Sequence, residues 1–195
     1  MLRLRYDVGD FTVAALRLAR DASAADVNRL AADASADMLL FLWGDTAAPD
    51  ADGLREMMMY AQRPDVCAVM PLVVDARNRV LHAGYDILPD GTVRSRNRGL
   101  PAGGWHGMNR TSYNVTAVSP MCFLVRRNAF VPLAEGESLA VDLAQWCMAR
   151  MQEGMRHVYT PHCVVKADAE SAFEGFRVKV PAGWYDPCAT GSKRA

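Results

Sequence analysis

An acidic residue directly after a buried strand is the first candidate for chemistry in this sequence. The continuous apolar run Met38–Trp43 is followed by Gly44, Asp45 and Thr46. Such a run predicts a strand buried on both faces, and loops at the carboxyl ends of such strands bind ligands in open α/β sheets. One carboxylate can hold Mg²⁺ or Mn²⁺ when phosphates and water complete the shell. Asp45 is therefore a candidate metal ligand, with a carboxylate that caps a local turn as the alternative.

Four other side chains have the chemistry to contact a ligand. His82 lies between leucine and alanine in a strand-like run, which suits either a half-buried structural histidine or one that faces a cleft. Trp105 and His106, in a glycine-rich loop, could stack on a sugar ring or hold the loop down. Arg127 follows Arg126 at the end of another strand-like run. Because strand side chains alternate between faces, at most one of this pair can meet a diphosphate.

Asp142 is a carboxylate in the first turn of a predicted helix. Ser138 is suited to cap this helix, which extends to about residue 153, with Gly154 just past its end. The helix dipole by itself favours a carboxylate in the first turn. From the residues alone, Asp142 therefore needs no catalytic role.

The composition excludes several classes of function. With 22 basic and 22 acidic residues, the formal net charge is zero, so the chain lacks the positive field that nucleic-acid binding needs. The five cysteines are widely spread and form no C-x-x-C pair, which favours reduced thiols in a cytosolic protein. The longest apolar run, Met38–Trp43, is far shorter than the ~20 residues that span a bilayer, so any membrane contact would be peripheral.

Short apolar runs alternate with helical periodicity, which predicts an α/β layer architecture. The predicted strands are Leu2–Tyr6, Met38–Trp43, Val66–Val74, residues 80–88, residues 115–127 with a break at Ser119-Pro120, and one or two short strands within residues 158–165. The predicted helices cover residues 24–35, about 54–61 and about 138–153. We expect a single domain over residues 1–195, with a core over about 4–165 and a wrapping tail over 166–195.

The order of these segments, with several short phrases inside them, resembles one enzyme family. The phrases are residues 39–42 followed by Asp45, residues 54–69 (LREMMMYAQRPDVCAV), residues 80–84 (VLHAG), residues 117–127, residues 154–161 (GMRHVYTP) and residues 185–187 (YDP). Together they resemble bacterial family 2 glycosyltransferases of the kind that build O-antigens and other surface polysaccharides. The resemblance extends over about residues 4–187 and is spread over many short matches.

The resemblance implies an α/β, Rossmann-like glycosyltransferase A-type fold with a mixed sheet flanked by helices. It also implies inverting transfer of a sugar from a nucleotide-diphosphate donor to a hydroxyl of a glycan. In that reaction a divalent cation, Mg²⁺ or Mn²⁺, neutralises the departing diphosphate, and a general base takes the proton of the attacking hydroxyl. Family members begin with a strand, a helix and a strand that bind the nucleotide. This chain is expected to begin after them, so that Leu2–Tyr6 would be a later strand.

The carboxylate positions depart from the family pattern. Where the family has D-x-D, this chain has Trp43-Gly44-Asp45, which leaves Asp45 as the expected metal ligand. The family's acidic pair before the last helix falls on residues 143–145 (LAQ), which leaves Asp142 as the expected base and Glu137 as the alternative. A metal-side histidine of the family is also absent, and Asp168 could replace it as an oxygen ligand.

Two expectations about function follow from the resemblance. The first is a glycosyltransferase-like domain in surface-polysaccharide synthesis, with a nucleotide sugar and a glycan acceptor as partners. Its expected substrate contacts are His82, Trp105, His106 and Arg127. The second is a non-catalytic module that binds glycan or a partner subunit, which the loss of the paired acids favours. Either would act in the cytoplasm, at most at the membrane periphery, in association with other polysaccharide-synthesis proteins.

Overall fold

The computed structural model describes residues 2–6, 9–103, 109–168 and 173–188, with side chains from residue 11 onward. The described strands are β1 (Leu2–Tyr6), β2 (Gly9–Leu18), β3 (Met38–Trp43), β4 (Val66–Val74), β5 (Val80–His82), β6 (Tyr85–Ile87), β7 (Val93–Ser95), β8 (Tyr113–Val115), β9 (Cys122–Arg126) and β10 (Arg156–Lys166). The described helices are α1 (Ala24–Asp33), α2 (Ala51–Ala61) and α3 (Leu139–Gln152), and a 3₁₀ turn spans Arg127–Ala129. The fold is mixed α/β, as the sequence predicts.

One mixed sheet organises the molecule. Its strand order is β1-β2-β3-β9-β4-β10-β8, with β5 paired to β4 beside this path. β2 is parallel to β3, and β4 is parallel to β10. Since β9 is antiparallel to both β3 and β4, the four strands β2, β3, β4 and β10 all point the same way. Their carboxyl ends therefore lie at one edge of the sheet, which is where open α/β sheets bind ligands.

The central strands are confirmed with the bounds that their apolar runs predict. Every residue of β3 and of β4 is buried, as expected for strands that are covered on both faces. Helices flank the sheet: α2 packs against β4 and β10, α1 against β2 and α3, and α3 against β10. The core is the apolar layer between these helices and the sheet.

Short polar signals begin each helix. The carboxylate of Asp26 accepts the backbone N–H and the hydroxyl hydrogen of Ser23 at the start of α1. Asp50 accepts from the backbone N–H of Gly53 at the start of α2, at 2.8 Å. At the start of α3, the hydroxyl of Ser138 accepts from the backbone N–H of Val141 at 3.4 Å. These caps satisfy amide groups that a helix leaves without an internal partner.

Several predictions about strands need correction, among them the short strands within residues 158–165, which are one strand, β10. Residues 80–88 are not one strand, because Gly84 has φ +97 and separates β5 from β6. The side chain of Val115 fills the place where a Cβ of residue 84 would lie, so only glycine fits there. The predicted strand over residues 115–127 is replaced by β8 and β9, and β8 begins earlier, at Tyr113. The ten-residue strand β2 was not predicted at all.

Residues 173–188 pack along the ribbon that β6 and β7 form. The hydroxyl of Tyr85 donates to the carbonyl of Phe173 at 2.9 Å. The carboxylate of Asp186 accepts from the backbone N–H of Ile87 at 2.7 Å, and the indole of Trp184 donates to the carbonyl of Ile87 at 3.0 Å. In the described ranges, each helix is too short or too polar to traverse a lipid bilayer.

Candidate functional site

A cavity of about 410 Å³ opens at the carboxyl ends of β2 and β3. Its walls are the loop after β2, Trp43 at the end of β3, the loop that precedes α3, the first turn of α3, and Phe173. The rings of Trp43 and Phe173 meet edge to face, with 4.7 Å between their centroids. We call this space the Asp142 cavity, after the carboxylate that lines it.

Asp142 differs from the other carboxylates of the Asp142 cavity in its burial and in its raised pKa. Its residue is only 5% exposed, and one carboxylate oxygen accepts the backbone N–H of Gly136 at 3.1 Å. Burial raises its pKa above the ordinary aspartate range, and the negative charges of Glu135 and Glu137 act in the same direction. The bond from Gly136 lowers the pKa but does not reverse the shift. Among the described residues, no basic side chain forms an ion pair with it.

The charge of the Asp142 cavity is strongly negative. Its lining includes one guanidinium group, that of Arg20, and four carboxylates, those of Asp21, Glu135, Glu137 and Asp142. Glu137, the alternative base, therefore lies in the same cavity as Asp142. Negative neighbours oppose ionisation of the buried Asp142 carboxyl group, which can therefore hold or release a proton.

Asp45 lies beside the Asp142 cavity, and its carboxylate is already paired with a cationic side chain of the same protein. Its carboxylate forms an ion pair with Arg20, and 66% of its side chain is exposed. The Arg20 guanidinium also lies over the indole of Trp43, 6.0 Å from the ring centroid. In the described part of the chain, no three His, Cys, Asp or Glu side chains group in a way that could hold a metal ion.

Asp168, the second expected metal ligand, lies in a different cavity. It lines a space of about 510 Å³ at the carboxyl ends of β4 and β10, together with Asp75 and three arginines. None of the residues that line this space also lines the Asp142 cavity. Asp45 lines neither of these two cavities. The loops that carry Asp45 and Asp168 meet nearby, where the backbone N–H of Ala47 donates to the carbonyl of Lys166 at 2.8 Å.

His82 is a buried residue of β5 rather than part of a cleft. It is 2% exposed, its Nδ1 lies 3.0 Å from the hydroxyl of Ser95, and its ring packs against that of Tyr85. Burial, with a smaller contribution from the positive charge of Arg98, lowers its pKa to about 3. The ring is therefore neutral at physiological pH and does not line the Asp142 cavity.

Arg127 lies at the opposite end of β3. It lines a third cavity, of about 430 Å³, with Asp37 and Met38, and its backbone N–H donates to the carbonyl of Asp37 at 2.9 Å. The six residues of β3 place this end about 17 to 20 Å from the Asp142 cavity. Trp105 and His106 lie outside the described residues.

Several residues of the site carry no clear signal in the sequence. Arg20 and Asp21 follow β2, a strand that the sequence did not predict. Phe173 also lines the cavity, although it lies 130 residues after Trp43, the ring that it contacts. Gly136 is the one residue that the sequence could have indicated, because a glycine two residues before a helix cap allows a side chain to lie close against the backbone. A Cβ at residue 136 would overlap a carboxylate oxygen of Asp142.

No model of a protein family matches this chain, and a search of the curated proteins finds no match either. A buried carboxyl with a raised pKa, aromatic walls and surrounding acids suit proton transfer with a ligand rich in hydroxyl groups.

Proposed function

We propose that the chain is a glycosyltransferase-like domain that transfers a sugar from a nucleotide-diphosphate donor to a hydroxyl of a glycan acceptor. The fold would be of the glycosyltransferase A type, a Rossmann-like variant of the mixed α/β architecture. Surface-polysaccharide synthesis in the cytoplasm, at most at the membrane periphery and beside other proteins of that synthesis, is part of this proposal. The resemblance of short segments to family 2 glycosyltransferases supports it.

The observation that carries the proposal is the position of Asp142. Its carboxyl group is buried in the wall of a cavity at the carboxyl ends of two parallel strands, and its pKa is shifted upward. A general base works best when its pKa approaches the working pH, and an upward shift moves an aspartate in that direction. The resemblance and the geometry thus support the same residue.

In the proposed reaction, Asp142 takes the proton of the acceptor hydroxyl. The hydroxyl oxygen forms a bond to the anomeric carbon of the donor sugar while the bond from that carbon to the phosphate oxygen breaks. The nucleoside diphosphate leaves with the electron pair, and the configuration at the anomeric carbon inverts. No step of this reaction is assigned to a divalent cation. Arg20 supplies the one guanidinium group among the residues that line the Asp142 cavity.

The test is release of nucleoside diphosphate from a panel of nucleotide sugars, with mixed glycans as acceptors. We expect Asp142→Asn to reduce the rate by about 10² to 10⁴-fold, the range that a general base contributes. Asp52→Asn is the matched control, since it removes an exposed carboxylate from the first turn of α2. Equal rates in Asp142→Asn and in the parent would refute the assigned base. No release with any donor would refute the transfer reaction.

A second candidate function is a non-catalytic module that binds glycan. The ion pair between Asp45 and Arg20 favours it, because it occupies the one carboxylate that corresponds to the family's metal-binding motif. Trp43 and Phe173, which are 4% and 6% exposed, form an apolar wall of the cavity against which the apolar face of a sugar ring could pack. This function predicts glycan binding that Trp43→Ala weakens while no nucleotide sugar is consumed. Binding that persists unchanged in Trp43→Ala would exclude the cavity as the glycan site.

A further inference from the structure

A second cavity lies at the same edge of the sheet, at the carboxyl ends of β4 and β10. Its volume is about 510 Å³. The two strand ends are joined beside it by a hydrogen bond from the backbone N–H of Ala167 to the carbonyl of Val74, at 3.0 Å. Its lining includes three arginines, Arg77, Arg79 and Arg98. We call it the arginine cavity; the proposed transfer step uses none of these residues.

The three guanidinium groups differ in how far they are already bound. Arg79 donates to the carbonyl of Gly99 at 2.8 Å, which fixes its position. Arg98 is partly buried, with 30% of its side chain exposed, and forms an ion pair with Glu174 at 3.3 Å. The guanidinium of Arg77 is exposed and has no hydrogen-bond acceptor among the residues that the structure describes. Donor capacity therefore remains for an external acceptor.

The lining of the arginine cavity holds two carboxylates, those of Asp75 and Asp168, and three arginines. Glu174, outside the lining, adds a third carboxylate through its ion pair with Arg98, so that the charges nearly cancel. One oxygen of Asp75 accepts the backbone N–H groups of Arg77 and of Arg79, both at 2.8 Å, so that carboxylate holds the turn together. The Asp142 cavity is more negative, with one arginine and four carboxylates. An anion at this edge of the sheet is favoured in the arginine cavity.

The two cavities are joined through consecutive residues of the chain. Phe173 lines the Asp142 cavity, and Glu174 pairs with Arg98 of the arginine cavity. Along the sheet, β3 and β10 are separated by β9 and β4, so their ends lie about 14 Å apart. A ligand that is a few rings long can therefore contact both cavities.

We propose that the arginine cavity is a phosphate-binding site, in which Arg77 and Arg98 bind a phosphate or diphosphate group and Arg79 supports them. Arginine presents several N–H donors in a fixed plane, which matches the oxygens of a phosphate. Glu174 competes with the ligand for Arg98. One part of this inference rests on the proposed function, namely that the bound group is the diphosphate of the sugar donor. In that case the diphosphate binds away from Asp45.

The test is calorimetric titration of the full chain with inorganic pyrophosphate at low ionic strength. We expect binding that Arg77→Ala and Arg98→Ala each weaken by about tenfold, which corresponds to about 1.4 kcal/mol. Glu174→Gln should strengthen binding, because it releases Arg98 from its ion pair. Arg29→Ala is the matched control, since Arg29 is an exposed arginine with an acidic partner and lines neither cavity. Thermal unfolding of each variant checks that it is folded.

Absence of binding at millimolar pyrophosphate, or equal weakening in Arg29→Ala, would overturn the inference. Uridine diphosphate and vesicles that contain an anionic phospholipid identify the source of the phosphate. Arginine-dependent binding of either one supports the site. Pyrophosphate binding is measured without a sugar donor, so its failure leaves the role of Asp142 untouched. Conversely, pyrophosphate binding without any sugar transfer would overturn only the proposed function.

Discussion

A carboxylate oxygen of Asp142 accepts the backbone N–H of Gly136 at 3.1 Å, across the bend that leads into α3. This bond joins the first turn of the helix to the loop that precedes it. Burial raises the pKa of Asp142, and the charges of Glu135 and Glu137 from the same loop add to that shift. The loop therefore both positions the carboxyl group and adjusts its proton affinity.

Replacing Gly136 by alanine should displace Asp142. The new Cβ would overlap the second carboxylate oxygen, so either the loop or the carboxylate must move. We expect a loss of about 1 to 3 kcal/mol in the free energy of unfolding, the usual cost of overpacking, together with loss of sugar transfer. Gly103→Ala is the control, because a Cβ at that residue meets open space. Urea denaturation measures both variants, and equal stability of the two would contradict the prediction.

The raised pKa of Asp142 predicts a stability that depends on pH. A carboxyl group with a raised pKa binds its proton more tightly in the folded state, so its contribution to stability falls as pH rises through and above the ordinary aspartate range. Asp142→Asn removes this penalty and keeps an oxygen that can accept from Gly136. We expect the variant to unfold at a higher temperature than the parent near neutral pH. The difference should shrink as the pH is lowered toward about 4.

Thermal unfolding at about pH 7.5 and about pH 4.5 measures this difference. Each kcal/mol corresponds to about 2 to 4 °C for a chain of this size. A variant that is less stable than the parent at the higher pH would show that Asp142 is held ionised by its surroundings. A gain in stability that accompanies loss of transfer is the pattern expected of a functional carboxyl group.

The sequence predicts the central strands and helices well because their signals are local. β3 and β4 are continuous apolar runs, and the caps of α1 and α3 are formed by residues within three positions of each other. β2 was not predicted because one of its two partners, β3, lies about 20 residues further along the chain, beyond α1. Of its residues 11–18, Val13 and Leu18 are buried and the others are partly buried or exposed, so no continuous buried run marks the strand.

The structure brings predicted site residues together only where they are close in sequence. Glu137 and Asp142 are five residues apart, and the structure places both in one cavity. Asp45 and Asp168 were expected to share a metal, but β9 and β4 lie between the strands that carry them. The pairing of Asp45 with Arg20 could not be foreseen, because Arg20 belongs to the loop after the unpredicted β2. The residue types suggested the chemistry, but the sequence does not show which residues far apart in the chain lie close together in the fold.

Divalent cations should not stabilise the folded chain. A site with a dissociation constant of ~0.1 mM would add about 2.7 kcal/mol at ~10 mM cation, which is a rise of about 5 to 11 °C in melting temperature. Because the described residues assemble no three-ligand group, we expect no such rise with Mn²⁺ or Mg²⁺. The Asp45→Ala variant should respond to the cations as the parent does. A rise in the parent that Asp45→Ala abolishes would instead identify Asp45 as a metal ligand.

The ion pair between Asp86 and Arg96 should be the most important polar contact of the β6–β7 ribbon. Their side chains are 1% and 4% exposed, and Arg96 also donates to the carbonyls of Asn114 and Cys188. Removal of one partner leaves a buried charge without its counter-ion, so we expect Asp86→Ala to cost about 3 to 5 kcal/mol. Differential scanning calorimetry should show a fall in melting temperature of about 10 °C.

The comparison with an exposed pair decides whether burial causes this effect. Asp52 is 89% exposed and pairs with Arg55, so Asp52→Ala should cost less than about 1 kcal/mol. Replacing both buried partners at once, as Asp86→Leu with Arg96→Met, removes the unpaired charge and should be less damaging than Asp86→Ala alone. If the double variant loses more stability than Asp86→Ala, the carbonyl contacts of Arg96, rather than its ion pair, hold the ribbon to residues 114 and 188.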